Sequence, residues 1–180
     1  MQFGKRRLSE NRALKLLEEV REEFRATIRD RYEIRAKSCV ECDSPGACCR
    51  DAHFVNIRIL RLEAVAIRNA LEPLDEDHRA MVYQRIGEAI ERFGLDCDGD
   101  ETTKTFACPL YERDAGCLVH NTAKPLPCIH HACYENKEDL PPDELLEKAE
   151  LAVERLNQRV YGRQQTLLPL PVAIRNTRVS

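Results

Sequence analysis

The chain has 180 residues, 43% of them apolar and 33% charged, with a formal net charge of −3. That length suits one domain with an extended helical arm, and no apolar run is long enough to span a bilayer. Basic and acidic residues are interleaved with no basic face, which removes nucleic acid as an expected partner.

The start, MQFGKRRLSENRALKLL, is basic but has no unbroken apolar stretch and no small-residue cleavage site, so no secretory signal is read there. A long helix is predicted over 8–37. Ser9 is its cap, and Arg12 stands at the capping-box position where Glu is usual. Leu14, Leu17, Phe24 and Ile28 form its seam, interrupted by Arg21. A helix covering its own core is preferred to a partner-binding coil, and any protein partner is expected to meet the chain through this helix.

A cysteine-rich loop follows, broken by Ser44-Pro45-Gly46. The stretch HFVNIRI, 53–59, reads as a short strand or an extended arm, and LRLEAVAIRNAL, 60–71, as an amphipathic helix. Pro73 marks a break. Asp75 or Asp77 caps a further helix to about Phe93, with Met81, Val82, Ile86, Ala89, Ile90 and Phe93 facing the core. Residues 94–107 form a polar loop, and a second cysteine cluster spans 108–133. Asp143 caps a helix to about Tyr161, with Leu145, Leu146, Ala149, Ala152, Val153, Leu156 and Val160 on its apolar face. The tail, 166–180, contains prolines and reads as extended. The expected fold is mainly α: an arm over 1–37, then a small helical domain over 38–165 whose two irregular cysteine loops meet at a metal centre.

Nine cysteines without a secretory signal are the main compositional fact. A cytosolic thiol pool keeps such residues reduced, so metal ligation is the default reading and a cytoplasmic location is expected. The spacing is Cys39-x2-Cys42-x5-Cys48-Cys49, then Cys108-x8-Cys117-x10-Cys128-x4-Cys133. All eight are candidate ligands. A C-x2-C turn points two thiolates at one ion, and both zinc and a [4Fe–4S] cluster take four such ligands. Eight cysteines fill two sites, or one site with spares. Adjacent Cys48 and Cys49 are awkward for one small ion, because neighbouring side chains diverge, and suit two metals or a larger cluster. An iron–sulfur cluster is therefore preferred to Zn2+. The loops hold few large apolar residues, so burial alone does not offset the entropy of ordering them, whereas a shared metal converts its binding energy into folding energy.

Cys97 lies in the acidic loop DCDGDE, apart from both clusters, and is not assigned as a ligand. That loop resembles the start of a calcium loop, but its glycine falls at position 4 and Ala107 stands at position 12, so a solvated acidic turn is preferred. His130 and His131 are further potential nitrogen ligands. His120 is expected to hydrogen-bond a sulfur or a carbonyl rather than to ligate. His53 and His78 read as ordinary surface or packing residues.

The chain resembles the CxxCxxCC, or YkgJ-like, family of zinc- or iron-chelating proteins. The resemblance rests on Cys39-x2-Cys42, on Cys48-Cys49-Arg50, and on the Ile-rich arm leading into a Glu-bearing helix from Ile57 to Leu71. It continues through Cys108-Pro109-Leu110, Gly116-Cys117-Leu118-Val119-His120 and Lys124-Pro125-Leu126-Pro127-Cys128, covering roughly 39–133. Lys124 and Ile129 stand where the family has Arg. The resemblance implies metal binding and no particular reaction. Flagellin lysine methylases carry a similar cysteine cluster, so the alternative is a metal-dependent enzyme, methylase-like or redox, using the same centre.

Overall fold

The computed structural model describes residues 7–37, 44–52, 55–96, 104–162 and 166–177. Cys39, Cys42, His53 and Cys97 lie outside the described residues. The fold is mainly helical, as expected: seven α-helices and three two-residue antiparallel ladders among the described residues. No helix among them is long and apolar enough to cross a membrane. The chain divides into two units, one formed by 1–38 and 125–166, the other by 39–124 and 167–180.

In the first unit, α1 (Glu10–Arg31) opens at Ser9, whose Oγ accepts the Arg12 N–H at 3.4 Å. Its buried residues are Ala13, Leu17, Arg21, Phe24 and Ile28, spaced by three or four so that they share one stripe. Ala13 thus replaces the expected Leu14, and Arg21 lies within the buried stripe instead of breaking it. The helix stops six residues short of the expected end. Continuing the stripe would call on Arg31, Tyr32 and Arg35, which give the next turn little apolar surface to bury. A 3₁₀ turn (Glu33–Arg35) leads instead into β1 (Ala36–Lys37). This ladder pairs Ala36 with Tyr134 and Lys37 with Cys133 of β5 (Cys133–Tyr134). The helix packs on α5 (Leu126–His130) and α6 (Asp143–Tyr161) of its own chain, so it does cover its own core. Asp143 is the first helical residue of α6, not its cap, because Pro142 takes the cap position. Tyr161 Oη donates to Glu10 Oε2 at 2.6 Å and fixes the far end of α6 against the start of α1.

In the second unit, β2 (Arg58–Ile59) pairs with β6 (Leu168–Pro169), and α3 (Arg61–Leu71) follows β2 directly. Leu60 has no polar side chain with which to cap α3. Glu63 instead reaches back, its Oε2 accepting the Leu60 N–H at 3.1 Å. Asp75 caps α4 (Glu76–Phe93), its Oδ1 accepting the His78 N–H at 2.9 Å. Val82, Ile86, Ala89 and Ile90 are buried as expected, but Met81 is 55% exposed and Phe93 only partly covered.

The tail is not extended throughout. After β6 it forms α7 (Leu170–Arg175), packed on α3 and α4. Pro171 at the first turn gives up an N–H that no helix uses there. Leu170, Val172, Ala173 and Ile174 are all buried. The core of this unit is one cluster that includes Val55, Ile67, Ile86, Leu95, Phe106, Leu110, Val119 and Leu170.

Candidate metal centre

Two short segments of the second unit carry its described cysteines. The first is α2 (Ala47–Arg50), a single helical turn that holds Cys48 and Cys49. Gly46 precedes it at φ 72, a left-handed conformation that disfavours any residue with a Cβ. A Cβ there would also collide with the ring of Tyr111, whose Oη donates to Pro45 O at 3.2 Å. The second segment begins at Cys108, whose backbone N–H donates to Cys49 O at 2.8 Å and ties the two together. It continues into a hairpin, β3 (Tyr111–Glu112) and β4 (Gly116–Cys117), that pairs Tyr111 with Cys117. Gly116 closes its three-residue loop at φ 78.

Cys48, Cys49, Cys108, Cys117, Cys128 and Cys133 form no disulfide. In the second unit, Cys48, Cys49, Cys108 and Cys117 are close enough to act on one another electrostatically. Burial pushes the Cys49 thiol up to about 12, and the charges of Cys108, Cys48 and Cys117 add to that. Burial also pushes Cys108 up to about 12, although the N–H groups of Leu110 and Tyr111 at its sulfur and the charge of Arg85 act the other way. Cys108 as a whole residue is only half-buried, but its sulfur lies deeper. Cys117 is raised by burial against the N–H of Val119 and the charge of Lys124. At Cys108 and Cys117, burial thus outweighs the backbone N–H groups and the cation that act the other way. Among the described residues, no group of three or more His, Cys, Asp or Glu side chains already stands in an arrangement that holds a metal ion.

The remaining candidates fall elsewhere. Cys128 on α5 and Cys133 on β5 belong to the first unit. His130 stacks on Phe24 there, the ring planes 3° apart and the centroids 6.3 Å. His120 and His131 are exposed. Asp96, at the head of the acidic loop, pairs with Arg175 at 2.8 Å, and that hydrogen bond holds its carboxyl below the usual range.

His78, read from the sequence as an ordinary residue, has a specific partner. Its Nε2 lies 2.8 Å from Glu112 Oε1, and Arg85 donates to the same oxygen at 2.7 Å. Burial works against ionisation of Glu112, yet these two hydrogen bonds and the Arg85 charge prevail and hold its carboxyl below the usual range. Compared with known protein families, curated proteins and solved structures, the chain finds no match.

Proposed function

We propose that this chain binds a metal through cysteine thiolates, with Cys48, Cys49, Cys108 and Cys117 as the part of the ligand set held in the second unit. The joining of the two cysteine segments carries this reading: the Cys108 N–H donates to Cys49 O at 2.8 Å, and Tyr111, three residues on, pairs with Cys117. Segments with so little apolar surface of their own gain order from a metal bound by both. Pushed up to about 12, Cys49 and Cys108 stay protonated at neutral pH unless a cation displaces the proton, and a metal does so. An all-thiol donor set of this kind suits soft or borderline metals.

Cys39 and Cys42 complete the first sequence cluster; Cys128 is a further candidate by resemblance to the CxxCxxCC family, and Cys133 a candidate only by its nearness to Cys128 in sequence. An iron–sulfur cluster is preferred to Zn2+, because adjacent Cys48 and Cys49 suit a centre larger than one ion. When bound, a cluster supplies one-electron chemistry, and zinc supplies a structural cross-link or Lewis acidity.

Chelation tests the reading. If the bound metal is present at about 1,000 times its Kd, its removal costs about 4 kcal/mol and lowers Tm by about 8 °C or more in a chain of this size. Differential scanning fluorimetry before and after chelation measures the shift. An unchanged Tm contradicts a centre that organises these loops.

A further inference from the structure

Tyr111 touches one cysteine segment from within the other. In the β3–β4 hairpin it stands opposite Cys117, so the two side chains leave the hairpin on one face and Glu112 leaves on the other. The Tyr111 ring lies against the backbone of Gly46, where any Cβ would overlap its hydroxyl end. Its Oη donates to Pro45 O at 3.2 Å. Arg50, the last residue of α2, donates to the same carbonyl at 3.3 Å. This turn sets α2 in its place: the N–H groups of Cys49 and Arg50 both donate to Gly46 O, at 2.9 and 3.0 Å. One aromatic ring thus joins the turn that launches Cys48 and Cys49 to the strand position opposite Cys117.

The bond from the Cys108 N–H to Cys49 O, at 2.8 Å, holds the same two segments at a second point. Two points fix the angle between the segments, which one does not. Ligand side chains must be held within about 0.5 Å of their working geometry, and groups that never touch the metal do that holding. We propose that Tyr111 is a positioning residue of the thiolate centre: its ring, seated on Gly46, sets the Cys48–Cys49 turn against the hairpin that carries Cys117. Glycine is required at 46 twice over, by its left-handed backbone at φ 72 and by the ring packed on it. The inference rests on the metal reading above and adds a residue that supplies no ligand.

Co2+ titration of the reduced full chain, read by chelator competition and by thiolate charge-transfer absorption per bound ion, tests this. That absorption follows the number of thiolates on the metal, which a residue serving only the fold does not change. Tyr111→Ala is expected to weaken Co2+ binding by about 10–100-fold, the usual cost of losing a partner that supports metal ligands. It is also expected to lower the absorption per ion, as Cys48 and Cys49 lose their place. Tyr111→Phe keeps the ring and is expected to recover most of both. Gly46→Ala displaces the ring and is expected to act as Tyr111→Ala does. Wild-type affinity in Tyr111→Ala overturns the inference and leaves the metal reading standing. Weaker binding with unchanged absorption per ion overturns it too, because the ring then serves only the fold. Equal loss in Tyr111→Ala and Tyr111→Phe also overturns it, since the seating of the ring is then not what matters. If Tyr111→Ala does not fold, Gly46→Ala decides: wild-type affinity and absorption there overturn the inference. A wild-type chain that takes up no Co2+ overturns the metal reading and this inference together.

Discussion

Phe106→Ala lowers the unfolding free energy by about 3–5 kcal/mol, the usual cost of emptying a fully buried aromatic site. Phe106 is among the largest fully buried side chains, 0% exposed, within the cluster that includes Val55, Leu95, Leu110 and Val119. Its backbone matters as well. Phe106 donates to Val55 O at 2.9 Å, and two residues later Cys108 donates to Cys49 O at 2.8 Å. The ring thus anchors the strand-like segment that brings Cys108 beside the Cys48–Cys49 turn. Urea denaturation measures the effect, and metal affinity is expected to fall in the same variant. A loss below about 1 kcal/mol contradicts the core described here, since even a site that collapses well costs more than that.

Cys108→Ser reduces metal affinity by more than about 100-fold, because partners that only support ligands are worth about 10–100-fold themselves. Serine keeps nearly the same shape but offers a hard, weakly acidic oxygen to a metal that prefers sulfur. The loss should appear without gross unfolding, because the N–H of residue 108 still donates to Cys49 O. Competition against a chromophoric chelator reads the affinity, and circular dichroism checks the fold. Cys97→Ala is the control expected to bind as wild type does. Wild-type affinity in Cys108→Ser removes this residue from the ligand set, and with it the pairing of the two cysteine segments as one centre.

The long helices were legible because their signals are local. A stripe at spacings of three and four marks α1, α3 and α4, Ser9 and Asp75 mark the starts of α1 and α4, and Pro73 follows the end of α3, all within a residue or two apart from the far end of α1. The tail was misread because α7 is buried on nearly every side. Leu170, Pro171, Val172, Ala173 and Ile174 form an apolar run with no polar face, so no period marks it as helical, and its prolines point to extension. Two-residue ladders such as Ala36–Lys37 with Cys133–Tyr134 are too short to produce alternation.

At the site, cysteine spacing marked both thiol segments and Ser44-Pro45-Gly46 marked the turn ahead of α2. The cluster of His78, Arg85 and Glu112 carried no such signal. Arg85 and His78 lie 27 and 34 residues from Glu112 in sequence, and only the packing of α4 beside the hairpin brings them together. Tyr111 could be suspected only as an aromatic near a cysteine. Its fit against Gly46, where any Cβ would meet its ring, depends on tertiary structure.

Whether Cys49, Cys108 and Cys117 serve a metal is answered most directly by anaerobic purification, followed by a visible spectrum and elemental analysis for iron, zinc and acid-labile sulfide. The expected result is brown protein with iron and sulfide in equal amounts; colourless protein with stoichiometric zinc keeps the thiolate centre and changes only its metal. Folded protein containing neither metal contradicts the centre itself.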